Sequence, residues 1–335
     1  MRGPSNKLQP VNAKTRISMP NINGIGAAEP IFNELYDNFF KCLYNINPVF
    51  TRGNDRKYMT EVSLLVEVAN YLEAIQAVRM VAESSLLRLN QAFWKHVFER
   101  PETWVHVAAR MQSPLIFREA MVHIVGRFHL KNGVKEAFIS SDEHGALGRK
   151  VYELILKKAA ELKDKKLRVE RHLLEFYPDR MVPKETATHI PGRQVYGNDI
   201  YSWIGLTIYR QWATSSMLHN FHHRASDGGL AFYRSIGAGG GAYLRADTLQ
   251  TFHNLFAMTS KGKAAVAKTL EIIKDEMKPI VKDLLVNHSQ YQRANDEPHM
   301  GHLTCIEILD EELPWYVAPV AEEANDVEVE MSGGL

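Results

Sequence analysis

The chain has 335 residues, 45% hydrophobic and 24% charged, an ordinary globular mixture with room for a sizeable core in one large domain or two smaller ones. Its 40 lysines and arginines against 39 aspartates and glutamates leave a formal charge of +1, so no chain-wide field marks a nucleic-acid or membrane-surface binder. Two cysteines, Cys42 and Cys305, are too few for a multi-bridge scaffold or a cysteine-rich zinc site, and a reducing compartment, cytoplasmic or nuclear, is expected.

Residues 1–28 carry Arg2, Lys7, Lys14 and Arg16 among polar residues with Pro4 and Pro10. No long apolar run follows, so a disordered leader is expected and not a secretory signal. No stretch of eighteen apolar residues occurs, so no membrane span is expected. From Pro30 to Tyr44, Ile31, Leu35, Phe39 and Cys42 recur at the period of one helix face. A connector with Pro48, Gly53 and Asn54 follows. Val62, Leu65, Val66, Ala69 and Leu72 then mark a second helix, and Ile75, Val78, Ala82 and Leu86 a third. Trp94, Val97 and Phe98 open a fourth that Pro101 stops, itself suited to the first turn of the next. Ser113-Pro114 is an N-cap and first-turn pair for a further helix with Phe117, Ala120, Met121 and Ile124 inward.

A long helix is expected from about Arg149 to Phe176, with Val151, Leu154, Ile155, Ala159, Leu162, Val169 and Leu173 as its apolar stripe. Its other face is rich in cations from Arg149 to Arg171. That face reads as a solvated surface with pairs such as Glu153 to Lys157, because no aromatic residues interleave the lysines to stack bases; the alternative is nucleic-acid association. A proline-rich linker over 178–198 divides the chain into two lobes. The helix from Asp199 to His219 is apolar on nearly all sides and is expected to be the central spine of the second lobe. Further on, Asp247 with Gln250 suggests a capping box, Ser260 a cap for a helix to about Asn287 kinked at Pro279, and the alternation in His302 to Leu309 a single strand. The acidic end, 318–335, is expected to be disordered.

Three segments carry residue types that could do chemistry. His219, His222 and His223 could face one metal, but no second histidine pair or acidic partner follows at helical spacing, so a dipole-complementing helix end is the reading preferred. Gly237 to Ala242 superficially meets the dinucleotide glycine pattern, yet a helix and not a strand precedes it, and Met258 stands near the position of the required acid. The same loop from Ile236 to Ala246 holds no carboxylate, which rejects calcium. No catalytic residue, metal ligand or cofactor site is therefore assigned.

Several stretches carry a resemblance. Ile31 to Tyr44, Val62 to Leu72 and Val78 to Leu87 look like the closing helices of a BTB/POZ domain. Trp94, Trp104, Ser113-Pro114, Phe117 to Ala120, Tyr209-Arg-Gln-Trp212, Asp227 to Tyr233, Ile236 to Gly240 and Leu303 to Ile306 are similar to a group of fungal BTB-domain proteins. The resemblance runs from about Pro30 to Trp315, and the residues before Pro30 lack the opening half of that domain. It implies a mainly α architecture: a compact multi-helix domain over 29–130, a long connecting helix region over 131–177, and a second helical domain over 199–317 with at most one or two short strands. It also implies a non-catalytic protein-interaction role with a protein partner, as the substrate-side part of a ubiquitin-ligase adaptor if the group acts in that way, whereas cullin docking and dimerisation would need the missing half. If Leu35, Phe39, Leu43 and Leu65 pack on that missing half, leaving them wet would forfeit roughly 6–12 kcal/mol of burial, so this face is expected to be repacked internally, covered by a partner or prone to association.

Overall fold

The computed structural model describes residues 28–131, 133–134, 139–140, 144–181, 196–293 and 300–317. The mainly α expectation is met: eleven α-helices form and no strand does among the described residues. In chain order they are α1 (Ala28–Leu43), α2 (Asp55–Tyr71), α3 (Ile75–Leu87), α4 (Gln91–Glu99), α5 (Pro101–Met111), α6 (Pro114–Arg127) and α7 (Gly145–Glu175). Then come α8 (Tyr196–Thr214), α9 (Leu230–Ala238), α10 (Ala246–Leu255) and α11 (Ser260–Lys282). No helix among the described residues is long and apolar enough to cross a membrane. Most of the linker expected at 178–198, and the tails expected at 1–28 and 318–335, lie outside the described residues.

Local chemistry sets the helix starts. The Asn54 side chain accepts the Lys57 N–H ahead of α2, and Ser113 accepts the Ile116 N–H ahead of α6, each satisfying a donor that the first helical turn leaves open. Pro101 and Pro114 occupy first-turn positions where no N–H is needed. Two expected caps are displaced. Thr259, not Ser260, caps α11 through the Gly262 N–H, and Asp247 turns onto the Thr248 N–H, so no capping box opens α10. α11 continues through Pro279.

The first six helices pack on one another, α5 and α6 pack on α7, and α7 in turn meets α8 and α11. Of the four side chains on that face, Leu35, Phe39 and Leu65 are buried by the chain's own helices, the internal repacking among the expected outcomes, and Leu43 stays open at 45% exposure. α1, α2 and α3 cover one another, so no further layer is required there.

The helix expected as the second lobe's spine, α8, is less enclosed than its sequence suggests. The helix buried nearly all round is α6, from Ile116 to Gly126, whereas α8 leaves Ile200 and Trp203 partly open. α8 packs tightly on α11 along one side, where a side chain at Gly205 would lie 2.5 Å from Thr269 Cγ2. The strand expected at His302 to Leu309 also does not form. Residues 302–306 are buried consecutively and not alternately, because the segment lies along α6 with no second strand to pair it. Its contact is close: a β-carbon on Gly126 would fall 2.2 Å from the Leu303 carbonyl oxygen.

Candidate functional site

The residues weighed for chemistry do not converge. His219 ends a single π-turn (Ser215–His219) in the open, His222 is exposed near the Phe232 ring, and His223 turns inward to 4.0 Å from the Glu170 carboxylate. Among the described residues no three of His, Cys, Asp or Glu gather as a metal set. The glycine loop after α9 presents carbonyls, not amides, to its charged neighbour: Lys274 Nζ donates to Gly240 O at 2.6 Å and to Leu244 O at 3.4 Å, the opposite polarity to a phosphate cradle. Both cysteines are buried, and burial pushes their thiols up, away from thiolate chemistry.

The cationic face of α7 is partly used inside the molecule. Lys158 is buried against Glu161 and Glu312, and Lys166 donates to the carbonyls of His223 and Gly228. Lys157 pairs with Glu312 at the surface. Helical periodicity could not separate these lysines from solvated ones, because apart from Glu161 their partners lie 57 to 155 residues away.

A second cluster is only partly legible in the sequence: Glu119, His123 and Arg127 stand four residues apart on α6, while His302 and residues 289–291 come from far along the chain. On α6, His123 Nε2 donates to Glu119 Oε1 at 3.0 Å, and His123 Nδ1 meets His302 Nε2 at 3.0 Å. Arg127 Nε donates to His302 Nδ1 at 3.4 Å. The direction is consistent throughout, from Arg127 through His302 and His123 to the carboxylate. Glu119 also accepts the Gln290 and Tyr291 N–H groups and the Ser289 hydroxyl. Burial works to raise the Glu119 pKa, but these hydrogen bonds outweigh it and hold the carboxylate below its usual range. Burial keeps His123 below its usual value and pushes His302 down to about 2, with Arg127 adding to the effect.

Ser289, His123 and Glu119 superficially suggest a nucleophilic triad. The geometry refuses it, because the hydroxyl and the carboxylate share one ring nitrogen, Nε2, which holds the donated proton. A base must face its nucleophile with an unprotonated nitrogen and its orienting acid with the other. The cluster is a clamp that fastens residues 289–291 and His302 to α6.

Two concave features remain: a polar one of about 580 Å³ between α7 and the segment at 305–309, lined by Lys158, Lys165 and Asp283 among others, and an aromatic one. A cleft of about 480 Å³ opens between the π-turn region, α9 and the start of α10. Trp212, Phe232 and Tyr243 form its floor, with Trp212 stacked on Phe232 at 5.9 Å and tilted on Tyr243 at 4.5 Å between centroids. The floor is braced from below, since Lys274 holds the loop carbonyls at Gly240 and Leu244. Exposed His222, Arg245, Asp247 and Thr248 make the rim. An apolar floor with a few polar rim groups suits an apolar side chain flanked by polar ones.

A family model described as an FF domain, in its fungal form, matches residues 178–283, about a third of the chain, and the cleft lies within that span. No curated protein and no solved structure matches the chain. FF domains are protein–protein interaction modules. The resemblance to a BTB/POZ family is overturned: the motifs at Tyr209 to Trp212, Asp227 to Tyr233 and Ile236 to Gly240 fall inside the FF match, and no BTB family model is found. Apolar spacing such as that of Leu35, Phe39, Val62 and Leu65 is shared by most packed helical cores, so it did not discriminate between families. Cullin docking, BTB-type pairing and the ligase-adaptor role lose their support with it.

Proposed function

We propose that the protein acts without catalysis, by docking a protein partner through the unit built from residues 178–283. The observation that carries this reading is the match of that span to an interaction module. The cleft over Trp212, Phe232 and Tyr243 is the docking point, taking an apolar side chain of the partner while Arg245 and Asp247 meet polar groups beside it. Aromatic anchors in a pocket of this kind contribute most of the affinity at protein interfaces.

The test uses the full chain against peptides selected from a random library. Thr248→Arg and Arg245→Glu change exposed rim positions and spare the core. Calorimetry should show affinity for the wild type falling at least tenfold in Thr248→Arg. Equal binding by wild type and variant would remove the cleft from the interaction.

A further inference from the structure

α7 presents an outward face that the described fold leaves uncovered. Leu156, Leu167 and Leu174 are 41%, 46% and 38% exposed, and Ala160 is open between the first two. Leu156, Ala160, Lys163 and Leu167 are spaced four, three and four residues apart, the period of one helix face. From Lys163 to Arg171 the outward charges are four cations, Lys163, Lys165, Arg168 and Arg171, against one carboxylate, Asp164. None of these five makes an ion pair among the described residues, whereas Lys157, Lys158 and Lys166 are engaged by the chain itself. An apolar strip set among unpaired cations suits an acidic segment that carries apolar residues of its own.

Residues 318–335 have that chemistry. They hold five carboxylates, Glu322, Glu323, Asp326, Glu328 and Glu330, and no lysine or arginine. Val320, Ala324, Val327 and Met331 repeat the spacing of four, three and four, with Glu323, Glu328 and Glu330 beside them. The chain also enters this segment next to the face. Glu312 is fastened to Lys157 and Lys158 on α7, and Trp315 packs edge-on against Phe117 of α6. Val317 follows Glu312 by at most about 18 Å of chain, and Lys157 to Leu174 spans about 26 Å of helix. The stretch from Val317 to Met331 reaches about 46 Å when extended, enough to cross both distances end to end.

We propose that residues 318–335 dock on the outward face of α7, running from near Lys157 toward Leu174. Their carboxylates meet Lys163, Lys165, Arg168 and Arg171, and their apolar residues cover Leu156, Leu167 and Leu174. Single exposed ion pairs are weak, so the contact depends on several charges and the apolar strip acting together. Docked, the segment shields the cations of α7 from other anionic partners. The contact lies outside residues 178–283, so it holds or fails independently of the aromatic cleft.

Both native cysteines are buried, so a nitroxide on Ser332→Cys reports the segment in the full chain. Methyl NMR then compares leucine signals with the nitroxide oxidised and reduced. The signals of Leu167 and Leu174 should fall at least twofold, while those of Leu43 on α1 and Leu255 on α10, also exposed, keep their intensity. Arg168→Glu/Arg171→Glu should restore the lost signal, and adding Glu328→Arg/Glu330→Arg should remove it again. Unchanged Leu167 and Leu174 signals, an equal loss at all four leucines, or a loss indifferent to the charge reversals would overturn the proposal. So would a loss of the same depth between spin-labelled chain and separately enriched chain, since the segment would then sit on a second copy.

Discussion

Glu119 is the clearest case of one side chain organising distant chain. Its two oxygens accept from His123, Ser289, Gln290 and Tyr291, and it is 1% exposed. A carboxylate here can accept every one of these donors, whereas an amide has one acceptor oxygen and turns an NH₂ group toward N–H donors. Glu119→Gln should therefore cost about 3 kcal/mol of unfolding free energy, the scale of breaking a buried charged hydrogen-bond network. Urea denaturation followed by circular dichroism measures it, and a midpoint shift worth under about 1 kcal/mol would contradict the clamp.

Among elements, the contact between α6 and the segment at 302–309 depends on a missing side chain. Gly126 allows the Leu303 carbonyl and the His302 ring to approach α6 as no larger residue would. The obstacle is backbone oxygen, which cannot rotate away, so Gly126→Ala should cost about 1–3 kcal/mol and lift the segment. Hydrogen–deuterium exchange should then quicken at residues 302–306 while α1 to α3 stay protected; unchanged exchange would mean that the segment is held otherwise. α10 shows the converse, a helix with an apolar stripe that finds no core to cover it.

The whole molecule stores several imidazoles in their neutral form. Burial pushes His106, stacked on His144 at 3.5 Å, down to about 3, and His302 down to about 2. A histidine whose folded pKa lies below its unfolded value near 6.5 binds fewer protons folded than unfolded, so stability falls as pH falls below about 6.5 and is flat above it. At pH 4.5, two units below that value, His106 and His302 should each remove about 2–3 kcal/mol relative to pH 7.5. Thermal unfolding between pH 4.5 and 7.5 checks this, and a flat profile would contradict neutral burial. The loss is shared across the molecule, because His106 lies on α5 and His302 joins the post-α11 segment to α6.

The helical architecture was legible in the amino-acid order, because the 3.6-residue period, the Ser113-Pro114 start and the Pro101 break are local chemistry. The family was not legible in apolar spacing that any helical core shares. The clamp from Arg127 to Glu119, the inward lysines of α7 and the aromatic cleft were decided only in three dimensions. Each joins residues dozens to nearly two hundred positions apart, as with Glu119 and Tyr291, and periodicity carries no information about which distant donor a buried acceptor meets. The segment at 302–309 failed as a strand for the same reason. A strand needs a partner edge, and whether one lies alongside is a property of the assembled fold.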